Sequence, residues 1–221
     1  MEKQLLIVFA KNIVLGKVKT RLAKTQGDTF AFNVYRRLVE ITERESLKVQ
    51  NTDVHVYFSD VIVKSKWPNQ EKFVQQGGDL GDRMKHAFEQ GFSKGYTRII
   101  GVGADLPDLS AEVMEEGLGA LNNFDTVFGP SEDGGYYLIG MRQMIPQIFE
   151  NKPWSTDALL EITQAELQEL KYTSETLKEL NDVDTIEDLK ASWLGAEFGV
   201  WAFLKYVTRP LWAVGRLILK F

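Results

Sequence analysis

Cysteine is absent from the 221-residue chain, which excludes disulfides, thiolate catalysis and cysteine-ligated zinc. The absence suits a reducing compartment. Histidine is scarce as well. His55 and His86 are the only two, too few for a histidine-ligated metal centre and a poor basis for a Ser-His-Asp triad. His55 alternates with Val54 and Val56, as on a strand. Positive charge is not in excess, the net charge being −5, so nucleic acid, which calls for a basic face, is not an expected partner. No apolar run reaches the roughly 20 residues of a bilayer crossing. The opening MEKQLLIVFAKN is too short in apolar residues for a signal peptide and reads as a first strand. No internal repeat or low-complexity tract is present. A cytoplasmic globular chain is expected, long enough for one α/β domain and a short appendage.

What is present is an alternation of strands and amphipathic helices. Leu5 to Phe9 is apolar throughout, as in a parallel strand covered on both faces. Asp28 is placed to cap a helix whose Phe30, Val34, Leu38 and Ile41 share one face. Val54 to Phe58 reads as a second strand and Lys72 to Gln75 as a short one. Gly77-Gly78-Asp79-Leu80-Gly81 leads into a helix with Met84, Ala87, Phe88 and Phe92 at helical spacing. Arg98 to Val102 is a buried strand, and Ser110 caps a helix to about Leu121. Thr126 to Phe128 and Tyr136 to Ile139 are strands, and Trp154-Ser155-Thr156 opens a further helix. The order predicts an α/β fold with a mostly parallel central sheet.

Three motifs carry chemistry. The strand at Ile99, Ile100 and Val102 runs into Gly103-Ala104-Asp105-Leu106-Pro107, delivering a carboxylate at a strand's carboxyl end, where open α/β sheets bind ligands. Asp105 has a plainer reading as a helix cap, but Asp108 and Ser110 are better placed for that. Around Gly16, Lys11, Lys17, Lys19 and Arg21 converge after the first strand, with Ala10 and Thr20 beside them. Phosphates want such charges, although a solvated basic loop has the same composition. The loop has a single glycine, so it is neither a Walker loop nor a dinucleotide fingerprint. Ser131-Glu132-Asp133-Gly134-Gly135-Tyr136 forms the third motif. Its paired glycines permit a close approach or merely a tight turn, and Glu132 or Asp133 is a candidate general base. Tyr136 either stacks on a ring or sits in the core. Downstream, Asn181-Asp182-Val183-Asp184-Thr185 supplies a second acidic cluster before a helix, with capping as its plainer role. Oxygen ligands without histidine favour Mg²⁺ or Mn²⁺.

Residues 192–221 differ in character, with seven aromatics and four basic residues against one acid. Pro210 and the interspersed charges argue against a membrane span. An amphipathic helical tail is expected, suited to a membrane surface, and hence to the inner face of the membrane, or to packing on the domain or a second copy. The expected division is therefore a catalytic domain over 1–191 and a tail over 192–221.

Lys17-Val18-Lys19-Thr20-Arg21-Leu22, Gly103 to Pro107, Gly129 to Gly140, Trp154-Ser155-Thr156 and Asp182-Val183-Asp184-Thr185 occur in this order. In this the chain resembles, over about residues 4–191, the bacterial nucleotide-diphospho-sugar transferase-like family associated with radical-SAM and selenium-domain proteins and with arsenosugar biosynthesis. The resemblance implies a GT-A-like three-layer fold, with Asp105 at the metal and nucleotide. Asp184 resembles the late aspartate of sugar-nucleotide cytidylyltransferases that shares the metal, and Lys19 and Arg21 would contact phosphates. Gly78, Asp79 and Arg83 would line the substrate side, together with Gly134, Gly135, Tyr136, Trp154 and Ser155. Where relatives carry prolines in the first loop, this chain has Ile13 and Leu15. The favoured expectation is metal-dependent glycosyl transfer from a nucleotide sugar to a small-molecule or lipid acceptor. Nucleotidyl transfer from a nucleoside triphosphate comes second, and a non-catalytic membrane-associated adaptor third.

Overall fold

A computed structural model describes residues 3–200. Seven strands form one sheet in the order β3-β2-β1-β4-β6-β5-β7: β1 (Gln4–Ala10), β2 (Asp53–Phe58), β3 (Glu71–Val74), β4 (Arg98–Gly103), β5 (Thr126–Pro130), β6 (Tyr136–Met141) and β7 (Ser174–Thr176). All neighbours are parallel except β6, which runs against both β4 and β5. The reason is the length of its connection: residues 131–135 can close a hairpin but cannot cross over. The expected mostly parallel α/β sheet is what forms.

Alternation along the strands sorts the core into two faces. Leu6, Val8, Val54, Val56, Ile100 and Val102 pack beneath α2 (Asp28–Ser46) and α4 (Ala111–Ala120), meeting Tyr35, Val39, Met114 and Leu118. Leu5, Ile7, Tyr57, Ile99 and Ile139 point the other way, onto Met84 and Phe88 of α3 (Leu80–Ser93) and Leu167 of α5 (Leu159–Glu169). These are the three layers. The far side of α2 offers Val34, Leu38 and Ile41, which bury against α1 (Thr20–Gln26), α6 (Ile186–Ala191) and α7 (Leu194–Glu197).

Several local expectations change. Asp28 does not cap α2: it lies in the first turn behind Gly27, and no side chain caps that helix. The segment from Trp154 is a turn, and its helix begins at Leu159. The stretch read as one basic loop contains a seven-residue helix, α1. Ser110 does cap α4, accepting a hydrogen bond from the Val113 amide. The first residues of the expected tail pack on the domain: Leu194 is fully buried, Phe198 meets Phe30 edge-on, and Glu197 pairs with Arg37 at 2.7 Å. Residues 201–221, the rest of that tail, lie outside the described residues. Among the described residues no helix is long and apolar enough to cross a membrane.

Candidate functional site

The sheet order makes the site. From β1 the chain steps outward to β2 and β3 on one side, then returns to place β4 on the other. The loops leaving β1 and β4 therefore diverge at a shared carboxyl edge, the switch point at which open sheets form a crevice. Lys11, Lys17 and Lys19 come after β1, and Asp105 comes after β4.

A third segment joins them. The Val183 amide donates to the Asp105 carbonyl at 3.2 Å, and Val183 is buried. Its neighbours Asp182 and Asp184 are turned to the crevice. Thr185 caps α6 and forms a capping box with Asp188, whose carboxylate also accepts from the Asp184 amide. Capping thus falls to Thr185 and Asp188, which frees the Asp184 side chain.

Lys19 lies where the three segments meet. Its Nζ is 2.7 Å from Asp184 Oδ1, 3.1 Å from Asp105 Oδ2 and 3.8 Å from Asp182 Oδ2. The Lys19 side chain is 5% exposed, while each carboxylate is about a third exposed. Its backbone is left-handed, with φ 45°, a conformation costing about 1–2 kcal/mol outside glycine. Burial alone would push the ammonium towards neutrality. The charges of Asp105 and then Asp184 outweigh burial and hold the Lys19 pKa above the ordinary lysine value. Burial, with the Asp105 charge added, pushes the Asp182 carboxyl up to about 7. Burial opposes ionisation of Asp184 too, but Lys19 holds it below the usual carboxylate range. One oxygen from each of the three aspartates lies within 4.8 Å of the others.

Two cavities open on either side of Asp105. The one towards β1 and β2, of about 350 Å³, is lined by Lys11, Asn12, Lys17, Tyr35, Asp60 and Arg83 among others. The other, of about 270 Å³, includes Ser131, Asp133, Gly135, Tyr136, Trp154 and Ser155. Asp105 and Leu80 line both.

The residues expected from sequence to form the site do not all reach it. Asp133 faces the second cavity, and its Oδ1 accepts from Ser131 Oγ at 2.6 Å and from the Gly135 amide at 3.1 Å. Glu132 does not: its carboxylate accepts from Asn181 on another side of the loop. Arg21 is largely exposed, 3.5 Å from Asp184, and Thr20 begins α1 next to it. Ala10 is buried, its carbonyl taken by the Ser59 amide. Asp79 caps α3 by accepting from the Asp82 amide, the Gly78 amide donates to the Asp82 side chain, and the Arg83 guanidinium donates to the Gly77 carbonyl. Gly134 is required by contact: with φ +80°, a Cβ there would lie 1.9 Å from the Asp157 carbonyl oxygen. This approach sets the 154–158 turn beside Asp133. Tyr136 is mostly core, its ring edge-on to Phe128 and its hydroxyl pushed well above the ordinary tyrosine pKa by burial.

Three residues escaped the sequence reading as site members. Asp182 was legible as one of two acids flanking a buried valine, since i and i+2 share a side in extended backbone. Asn12 ties the first two loops together, its Oδ1 accepting from the Asp60 amide at 2.8 Å and its Nδ2 donating to the Val61 carbonyl. The Tyr35 hydroxyl accepts from the Lys11 amide at 2.8 Å. Neither of these two carried a local signal, because both partners come from distant segments.

The strand order and this crevice define the α/β fold found in nucleotide-diphospho-sugar transferase structures. Residues 44–156, half of the chain, match the family model described as "Uncharacterized protein conserved in bacteria (DUF2064)", and the chain belongs to that family. A Desulfovibrio desulfuricans G20 protein, provisionally named a nucleotide-diphospho-sugar transferase, is 33% identical over 86% of each chain, with a TM-score of 0.81. Two more distant structures share the fold. CMP:2-keto-3-deoxy-manno-octonic acid synthetase, complexed with CTP, is 13% identical over 90% of this chain and 99% of its own, with a TM-score of 0.57. Rv0371c of Mycobacterium tuberculosis H37Rv, complexed with manganese, is 10% identical over 86% and 97%, with a TM-score of 0.53. No curated protein matches the chain.

Proposed function

We propose that the protein is a metal-dependent transferase acting on a nucleoside-diphosphate sugar, moving the sugar to an acceptor hydroxyl. The observation that carries this is the convergence of Lys19, Asp105, Asp182 and Asp184 at the switch point. The donor set fits a hard divalent cation: carboxylate oxygens, close enough to share one ion, without histidine or cysteine. Asp105 and Asp184, with Asp182 beside them, would hold Mg²⁺ or Mn²⁺. The ion would neutralise charge on the departing diphosphate. The manganese complex of Rv0371c supports this reading, as does the name of the D. desulfuricans relative.

The chain's own groups do the rest. Lys19 and Arg21, with Lys11 in the first cavity, hold phosphate oxygens and stabilise the diphosphate as it leaves. Asp133 takes the proton of the acceptor hydroxyl while that oxygen bonds to the anomeric carbon. The carbon–oxygen bond to the diphosphate breaks, and its electron pair departs with the phosphate. Trp154 and Ser155, with Gly135, wall the sugar side. The radical-SAM and arsenosugar association of the resembled family adds nothing to this reading.

Nucleotidyl transfer is the second reading. The fold shared with the CTP-bound synthetase favours it, and so do the three basic side chains of the first cavity, which suit a triphosphate. A thermal-shift panel of nucleoside di- and triphosphates and nucleotide sugars, with and without Mn²⁺, tests both. Free nucleoside diphosphate as product supports the first reading and pyrophosphate the second. No stabilisation by any nucleotide overturns both and favours the non-catalytic adaptor. Attachment of the 201–221 segment to membranes is tested by liposome co-sedimentation against a chain ending at Val200, since ending at Ala191 would strip buried Leu194 from the core. Equal pelleting removes the idea.

A further inference from the structure

The cavities on the two sides of Asp105 differ in charge. The first is lined by Lys11, Lys17 and Arg83 against Asp60 and Asp105. The second is lined by three carboxylates, Asp105, Asp133 and Asp182, and among its described lining residues there is no lysine, arginine or histidine. Lysines from neighbouring segments are paired with carboxylates. Lys19 is held by Asp184 and Asp105. Lys152, two residues before Trp154, has a side chain only 2% exposed and is turned into the fold onto Glu166. Lys85 pairs with Glu150.

We infer that the compound held in this second cavity is an uncharged polyhydroxyl ring, and that phosphorylated or carboxylated sugars are rejected there. The inference rests on the nucleotide-sugar reading above and names the class of sugar it takes. Beyond the cation that Asp105 and Asp184 would hold, an anion entering the cavity meets the Asp133 carboxylate with no basic side chain in the lining to offset it, an arrangement that suppresses wrong partners. A neutral sugar meets what it needs. Hydroxyl groups donate to carboxylates and exchange hydrogen bonds with Ser131 and Thr156, while Trp154 adds an aromatic ring to the lining. Asp133 is already oriented as an acceptor by Ser131 and Gly135. At about 270 Å³ the cavity falls just below the roughly 300–1,000 Å³ typical of ligand pockets, a space for one ring. A sugar phosphate, the acceptor from which a nucleotide sugar is made, is one of the excluded anions, so the same charge pattern weighs against nucleotidyl transfer to such an acceptor.

A matched pair of ligands tests this. With the full chain and Mn²⁺, calorimetric affinities are measured for UDP, UDP-glucose and UDP-glucuronate, which differ at one carboxylate, and for GDP, GDP-mannose and GDP-mannuronate. With whichever base binds, the neutral sugar nucleotide is expected to bind about tenfold or more tightly than its carboxylated partner. Asp133→Asn is expected to narrow that gap about threefold or more, a selectivity readout that lost packing would not move. If that variant does not fold, Thr156→Lys, which adds a cation to the lining, is expected to narrow the gap in the same way. Equal affinity for the members of a pair, with the nucleoside diphosphate still binding, overturns the inference and leaves the nucleotide reading standing. Failure of both nucleoside diphosphates to bind overturns that reading and the inference together.

Discussion

The two edges of the central sheet treat their carboxylates in opposite ways. At the edge where β5 begins, Asp125 accepts from the Thr173 amide at 2.9 Å and from its hydroxyl at 2.8 Å, and pairs with Arg142 at 3.1 Å. The Thr173 amide, ahead of the other partners, holds the Asp125 carboxyl below its usual range. At the other edge, three aspartates share one buried lysine, and Asp182 is driven up to about 7. One edge closes each charge with neighbours that strand pairing already supplies. The other gathers like charges from segments 86 and 165 residues away from Lys19 and leaves them short of cations. Local satisfaction is what a structural carboxylate shows, and a shared deficit is what a ligand site shows.

The contrast is broken most severely at the crevice. Asp105→Ala is expected to lower turnover by about 100-fold or more and to abolish Mn²⁺-dependent nucleotide stabilisation. Undiminished turnover, measured as released nucleoside diphosphate, would remove the metal assignment. Lys19→Met takes away the shared cation. The metal-free protein should lose roughly 2–4 kcal/mol, the loss on breaking a buried ion pair reduced for carboxylates a third exposed. Millimolar Mn²⁺ should recover much of it, and a melting curve indifferent to Mn²⁺ in this variant would contradict a cation site there.

The opposite edge gives the matching control. Asp125→Ala removes hydrogen bonds to a charged group and should cost about 1.5–3 kcal/mol in chemical denaturation, with nucleotide affinity unchanged. A nucleotide-binding defect in this variant would mean that the two edges are coupled. The smallest effect is the sharpest comparison. The raised Asp182 pKa means that the metal-free fold binds more protons there than the unfolded chain does, so its contribution to stability falls as pH rises from about 4 through about 7. The depressed Asp125 pKa has the reverse sign: its contribution is present above the ordinary carboxylate range and is lost as pH falls through the folded value. Asp182→Asn and Asp125→Asn should therefore flatten different arms of the melting-temperature profile. Flattening of the same arm by both would refute the contrast.

Much of the frame was legible before any coordinates. β1, β2, β4, β5 and β6 announce themselves as apolar runs, and the Ser110 cap and the Asp105 turn are implied by residue type and position. α1 was hidden because a seven-residue helix rich in charge has too little periodicity to register. β7 has three residues and is held mainly by its pairing with β5. The start of α5 slipped because Ser155, with φ 64°, belongs to a turn that Gly134 packs against. Glu132 and Asp133 were inseparable by spacing, and only the turn of the hairpin sends one to the cavity and the other to Asn181.

The sequence by itself determined which segments are strands, which edge of the sheet carries the acidic and basic turns, and which residue types are on offer there. Those features are local, written in hydrophobic alternation and in the few residues after each strand. Tertiary structure alone decided that one lysine is buried among three aspartates, that Asp182 joins Asp105 and Asp184, and that the basic side chains lining the two cavities all lie on one side of Asp105. Such sidedness depends on β1 lying beside β4 and on Val183 being bonded to Asp105, pairings between distant segments that no local pattern encodes.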